Sequence, residues 1–147
     1  MEESVNMSEE NNIFRNANMD LTGEDMLMLS SLQLAYVGDA VYELLVRTYL
    51  LKRDLSVNEL HRLTIKYVKA RGQSQVYHLI EDLLTDKERS IVKKGRNAKS
   101  HTSPKNADMI DYKYATGFEA LMGYLYLTRQ DQRIAHIFDK IMSLKMD

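Results

Sequence analysis

Two stretches of this chain, LQLAYVGDAVYELLV (residues 32–46) and ATGFEALMGYLYL (residues 115–127), restrict its fold more than any other feature. Both have helical length and are apolar almost all round, which marks central rather than surface helices. Both are too short, and too interrupted by acids, to span a bilayer. Each carries carboxylates inside its apolar run: Asp39 with Glu43 one turn on, and Glu119. A lone buried carboxylate is costly, so such groups are paired, hydrogen-bonded or bound to metal. Gly38, Ala40, Gly117, Ala120 and Gly123 would let two helix backbones approach closely. If these helices pack together, Asp39 and Glu119 converge on one point from different elements. An oxygen-only site suits Mg²⁺, or Mn²⁺. The residues alone leave a second reading open, in which the acids satisfy Arg or Tyr partners in a helical core and Glu43 faces solvent.

The rest of the chain reads as helix as well. One Pro and six Gly in 147 residues leave few breakers, and no strand or internal repeat is evident. Thr22 can cap a short turn over 26–29, and Ser30 or Ser31 a long helix to about Lys52. A turn at 54–56 precedes a helix over roughly 57–70. Gly72 then breaks or kinks the chain before a helix over about 73–84. Thr85 followed by Glu88 forms a capping-box pattern for a short helix to Lys94. Residues 95–106, GRNAKSHTSPKN, make the one long internal loop, a feature more often functional than accidental. Helices over 108–127 and 131–144 close an all-α domain spanning 22–147. There is no cysteine, hence no disulfide framework or thiolate zinc site, and the four histidines lack metal-ligand spacing. No signal-peptide pattern opens the chain, which points to the cytoplasm.

Charge is unevenly placed. Residues 1–25 hold seven acids against Arg15 alone, and residues 1–21 read as a flexible, acidic tail. That segment carries −6 of a chain total of −1, so the remainder is +5 and favours a polyanionic partner. Residues 87–105 concentrate seven bases against Glu88. Such a segment can be a solvated surface or a nucleic-acid contact.

The motifs decide between these alternatives. LAYVGDAVYE (residues 34–43) resembles the signature helix of the ribonuclease III family, an apolar stretch ending in Gly-Asp. FEALMGYLYL (residues 118–127) is similar to that family's second motif, and RNAKSHTSPKN (residues 96–106) to its Lys-Ser-containing loop. LSVNELHRLTIKYVKARGQSQ (residues 55–75) resembles the helix pair between them. The resemblance implies a ribonuclease III-type helical endonuclease domain that cuts double-stranded RNA with Mg²⁺, held by Asp39 and Glu119 as catalytic ligands. Arg96, Asn97, Lys99, Ser100 and Lys105 would contact RNA, and Glu43 could supply further charge at the metal. The larger enzymes carry a second, RNA-binding domain, for which 147 residues leave no room. The chain therefore resembles the short Mini-ribonuclease III subfamily, linked to maturation of the large-subunit (23S) ribosomal RNA precursor and to symmetric homodimers. Two departures stand out: Ala35 and Thr116 occupy positions where the larger enzymes have acids. They favour the competing expectation of a catalytically silent domain that binds structured RNA in ribosome assembly, whereas Asp39 and Glu119 argue for an active nuclease.

Overall fold

A computed structural model describes residues 13–18, 23–51, 54–99 and 108–144. Among them every regular element is helical: α1 (Ile13–Asn16), α2 (Gly23–Met28), α3 (Ser31–Leu50), α4 (Val57–Val68), α5 (Ala70–Ile80), a 3₁₀ turn (Glu81–Leu83), α6 (Asp86–Asn97), α7 (Met109–Leu127) and α8 (Asp131–Leu144). Three helices start at reciprocal capping boxes, Ser30 with Gln33, Ser56 with Glu59 and Thr85 with Glu88. In each, the hydroxyl accepts from the third backbone N–H while the longer side chain accepts from the cap residue's own N–H. Thr22 and Lys52 lie outside the described residues.

α7 is the axis of the domain. Every residue from 115 to 125 is buried except Glu119 and Tyr124, which are half-buried. α3, α5 and α6 pack around it. Tyr42 of α3 meets Phe118 of α7 edge-on, with ring centroids 4.9 Å apart, beneath a core that includes Val46, Val76, Leu121 and Ile137. α8 is fastened to α6 by a bidentate pair in which Arg133 donates to both Glu88 oxygens at 2.8 Å. Burial alone would raise the Glu88 carboxyl, but hydrogen bonds from Arg133 and Thr85 outweigh it and hold it below its ordinary range.

Three expectations need correction. α3 is central on one side only: Ala35, Gly38, Tyr42, Val46 and Leu50 are buried, while Leu32, Tyr36 and Leu44 are exposed. The chain itself therefore covers only one of the apolar faces of α3. The chain breaks at Lys69, not Gly72, because Lys69 takes an extended conformation (ψ 158°) between α4 and α5. Gly72 is helical and buried; a Cβ there would sit 2.0 Å from the Lys66 carbonyl oxygen, so glycine lets α5 fold back on the end of α4. Likewise α6 continues through Gly95 to Asn97, because that glycine faces Gly117 of α7 and neither tolerates a side chain.

Of the segment read as a tail, residues 13–18 are described. Arg15 donates to the Tyr126 carbonyl, pairs with Asp131 and lies 4.0 Å over the Tyr126 ring. Arg129 donates to the Asn16 side chain at 2.9 Å. Among the described residues no helix is long and apolar enough to cross a membrane.

Candidate active site

The site is set by a glycine crossing. An added Cβ on Gly38 would lie 1.7 Å from the Glu119 carbonyl oxygen and 2.7 Å from the Gly123 nitrogen. One on Gly123 would lie 1.9 Å from the Leu34 carbonyl oxygen. The backbones of α3 and α7 therefore touch directly, which no side chain larger than hydrogen would permit. Asp39 follows the glycine at this crossing, and Glu119 lies one turn from Gly123 on α7.

The two carboxyl groups come close enough across the crossing for Asp39 to act directly on Glu119. They are not equivalent: Asp39 is exposed, whereas Glu119 is half-buried. The apolar run around Asp39 suggested burial for both, but Asp39 is exposed, at the solvent edge of the contact between α3 and α7. Burial, followed by the hydrogen bond and like charge of Asp39, pushes the Glu119 carboxyl up to about 8. A smaller opposing effect comes from Gln73, which donates to Glu119 Oε2 at 3.3 Å. Two carboxylates held this close retain a proton near neutrality or share a cation in its place.

Gln73 was not singled out by the motifs, although a signal exists. It falls at the apolar spacing of Val76, Tyr77 and Ile80 on α5, so a polar side chain there had to be buried. It is 1% exposed.

The structure does not add a third acid. Glu43 is turned to Arg47, at 3.4 Å. Among the described residues no group of three or more His, Asp or Glu side chains is placed to hold a metal ion. Ala35 is buried in the core, and the buried Thr116 donates its hydroxyl to the Tyr112 carbonyl at 3.0 Å.

The basic segment packs on the same helix, α7, through a second glycine contact. α6 meets α7 where Gly95 faces Gly117, and a Cβ on Gly117 would lie 3.2 Å from Arg96 Cγ. Gly117 and Glu119 are two positions apart on α7 and so project from different sides of that helix. Arg96 lies 4.9 Å over the Tyr114 ring and donates to its hydroxyl at 3.3 Å. Tyr114 in turn stacks on Tyr77, with centroids 5.3 Å apart. Asn97 and Lys99 are exposed. Arg89 is engaged with the Glu81 carbonyl at 3.2 Å, whereas Lys93, Lys94 and Lys99 face solvent. Ser100 and Lys105 lie outside the described residues.

Residues 32–130 match the model of the ribonuclease III domain. The chain is 45% identical to the Mini-ribonuclease 3 of Clostridium tetani over 127 residues, covering 85% of this chain and 84% of that protein. It is 49% identical to the Mini-ribonuclease 3 of Thermoanaerobacter sp. over 120 residues, covering 81% and 84%. Among solved structures, a crystal structure of a Fusobacterium nucleatum protein superposes with a TM-score of 0.70 at 32% identity, covering 78% of this chain and 92% of that one.

Proposed function

The chain belongs to the ribonuclease III family, and from that premise we propose that it is a divalent-metal-dependent endoribonuclease hydrolysing phosphodiester bonds of double-stranded RNA. The observation that carries the reading is the Asp39–Glu119 pair, brought together by a backbone crossing that only glycine allows. Like-charged groups so arranged cost stability unless something positive joins them. The donors are hard oxygens, and a pair rather than a full cage, which fits an ion that keeps several waters such as Mg²⁺, or Mn²⁺. Asp39 and Glu119 would hold it. When bound, the ion supplies an activated water and charge neutralisation at the phosphate. Asp39 reaches the solvent side, where RNA arrives; Glu119 anchors the pair to the rigid central helix.

Duplex RNA presents phosphates and 2′-hydroxyls across a shallow minor groove, so it is read mostly by shape and backbone. Arg96, Asn97 and Lys99 at the end of α6, with Ser100 and Lys105 beyond, are the groups we assign to that contact. The resemblance to the short subfamily points to structured parts of the 23S ribosomal RNA precursor as the natural RNA, processed in the cytoplasm. The open face of α3 supports a symmetric homodimer: Leu32, Tyr36 and Leu44 recur at helical spacing, and Tyr36 is 83% exposed.

The test offers the full chain a duplex RNA and each of its single strands, in Mg²⁺ and in EDTA. Cutting of the duplex alone, and only with the ion, is the expected result. Duplex binding without cutting under any divalent ion would overturn the enzyme reading in favour of a silent RNA-binding domain.

A further inference from the structure

Among the described residues, Gln73 is the buried polar side chain that hydrogen-bonds to the carboxylate pair, and its own bonding is unusual. Its amide nitrogen donates twice, to the Val68 carbonyl at 2.9 Å and to Glu119 Oε2 at 3.3 Å. Its amide oxygen is buried with no hydrogen-bond partner. The amide cannot be reversed to relieve that, because the oxygen would then face a carbonyl and a carboxylate, both acceptors.

What fixes this orientation is the chain break. Lys69 is extended, so α4 ends at Val68 and the Val68 carbonyl is among those left without a partner in their own helix. Gly72, fitted against Lys66, returns the chain sharply enough to bury Gln73 beside that carbonyl. One amide hydrogen is thus committed to the helix end, and the other is aimed at Glu119. A buried unsatisfied oxygen is normally selected against, and an apolar residue of the same size would avoid it. A role for the donor explains its presence.

We propose that Gln73 is a positioning residue which, tethered by the Val68 carbonyl, holds the Glu119 carboxylate turned toward Asp39 so that the two can share a divalent cation. The inference rests on the metal-dependent reading of the pair. Outer partners that orient ligating carboxylates typically contribute ~10–100-fold in metal affinity.

The test uses the full chain and Gln73→Met, which keeps the volume and removes both donors and the unsatisfied oxygen. Mn²⁺ is titrated into the RNA-free protein by calorimetry, alongside thermal unfolding in EDTA and duplex binding in EDTA. Mn²⁺ affinity should fall by ~10-fold or more, with the melting temperature and duplex affinity held near wild type. A variant that melts lower yet binds Mn²⁺ as tightly as wild type would show a packing role and overturn the proposal. A second readout needs no variant: the Gln73 side-chain amide resonances of the wild type should move as Mg²⁺ is added, and stationary resonances at saturating ion would also overturn it. Wild type that binds no Mn²⁺ and cuts no duplex would instead refute the metal-dependent reading itself.

Discussion

Gly38→Ala puts the glycine crossing to the sharpest test, because two opposing effects can be sized. The residue is in mid-helix, where Ala is favoured over Gly by ~1 kcal/mol. Against this, the new methyl would lie 1.7 Å from the Glu119 carbonyl oxygen and 2.7 Å from the Gly123 nitrogen. Ordinary contact is about 3.5 Å or more, so the two helices must part by roughly 2 Å. The atoms in the way belong to the backbone of α7, which is packed on every side, so no side chain can swing aside to absorb the change. Overpacking of this kind costs ~3 kcal/mol or more, leaving a net loss of about 2 kcal/mol despite the helical gain. For a chain of this size that corresponds to a fall in melting temperature of ~4–8 °C. The same parting separates Asp39 from Glu119, so the Mg²⁺ needed for half-maximal cutting of duplex RNA should rise as well. Thermal unfolding by circular dichroism in EDTA, with Mg²⁺ titrations of cleavage, measures both. A variant as stable as wild type, or more so, would refute the backbone contact, since only the propensity term would then be operating.

Three further outcomes follow from the same geometry. Glu119 is raised to about 8 from an ordinary 4.5, so it binds its proton more tightly folded than unfolded. Its contribution to stability is therefore fully present below pH 4.5 and is lost as pH rises through about 8. In EDTA the melting temperature of wild type should decline across that window relative to Glu119→Gln, and parallel pH profiles would contradict the shift. Replacing Arg96, Lys99 and Lys105 together with Ala should weaken duplex binding and flatten its salt dependence by roughly one unit of slope for each phosphate no longer neutralised; an unchanged slope would move the RNA-binding surface elsewhere. Tyr36→Glu, at the middle of the open face of α3, should give a monomer in sedimentation experiments where wild type gives a dimer, and equal masses for the two would remove that face from the interface.

Much of this was legible in the residues, for identifiable reasons. The capping box at Thr85 and the cap at Ser30 or Ser31 are local chemistry, written within four residues, and both helices began there. Asp39 and Glu119 stood out because acids inside apolar helices require an explanation that near-neighbour patterns cannot supply. Two of the errors share a cause, which is reading glycine as punctuation. Gly72 and Gly95 looked like breaks because glycine is a poor helix former. Both are helical, and each is glycine because another backbone passes within touching distance, a fact of tertiary packing. The same limit hid Gln73. Its amphipathic position announced burial, but its two partners are separated in sequence, one at the end of the preceding helix and the other on α7. The exposure of Asp39 was likewise not readable, since an all-round apolar helix does not say which of its faces the chain itself will cover.

The central claim is that Asp39 and Glu119 together make this domain a nuclease. Its most direct test is single-turnover cutting of a duplex RNA in Mg²⁺ by Asp39→Asn, with duplex binding measured in parallel. Asn keeps the shape and removes the charge, so binding should persist while the cutting rate falls by roughly a thousandfold or more. Cutting at the wild-type rate by a variant that still binds the duplex would contradict the account.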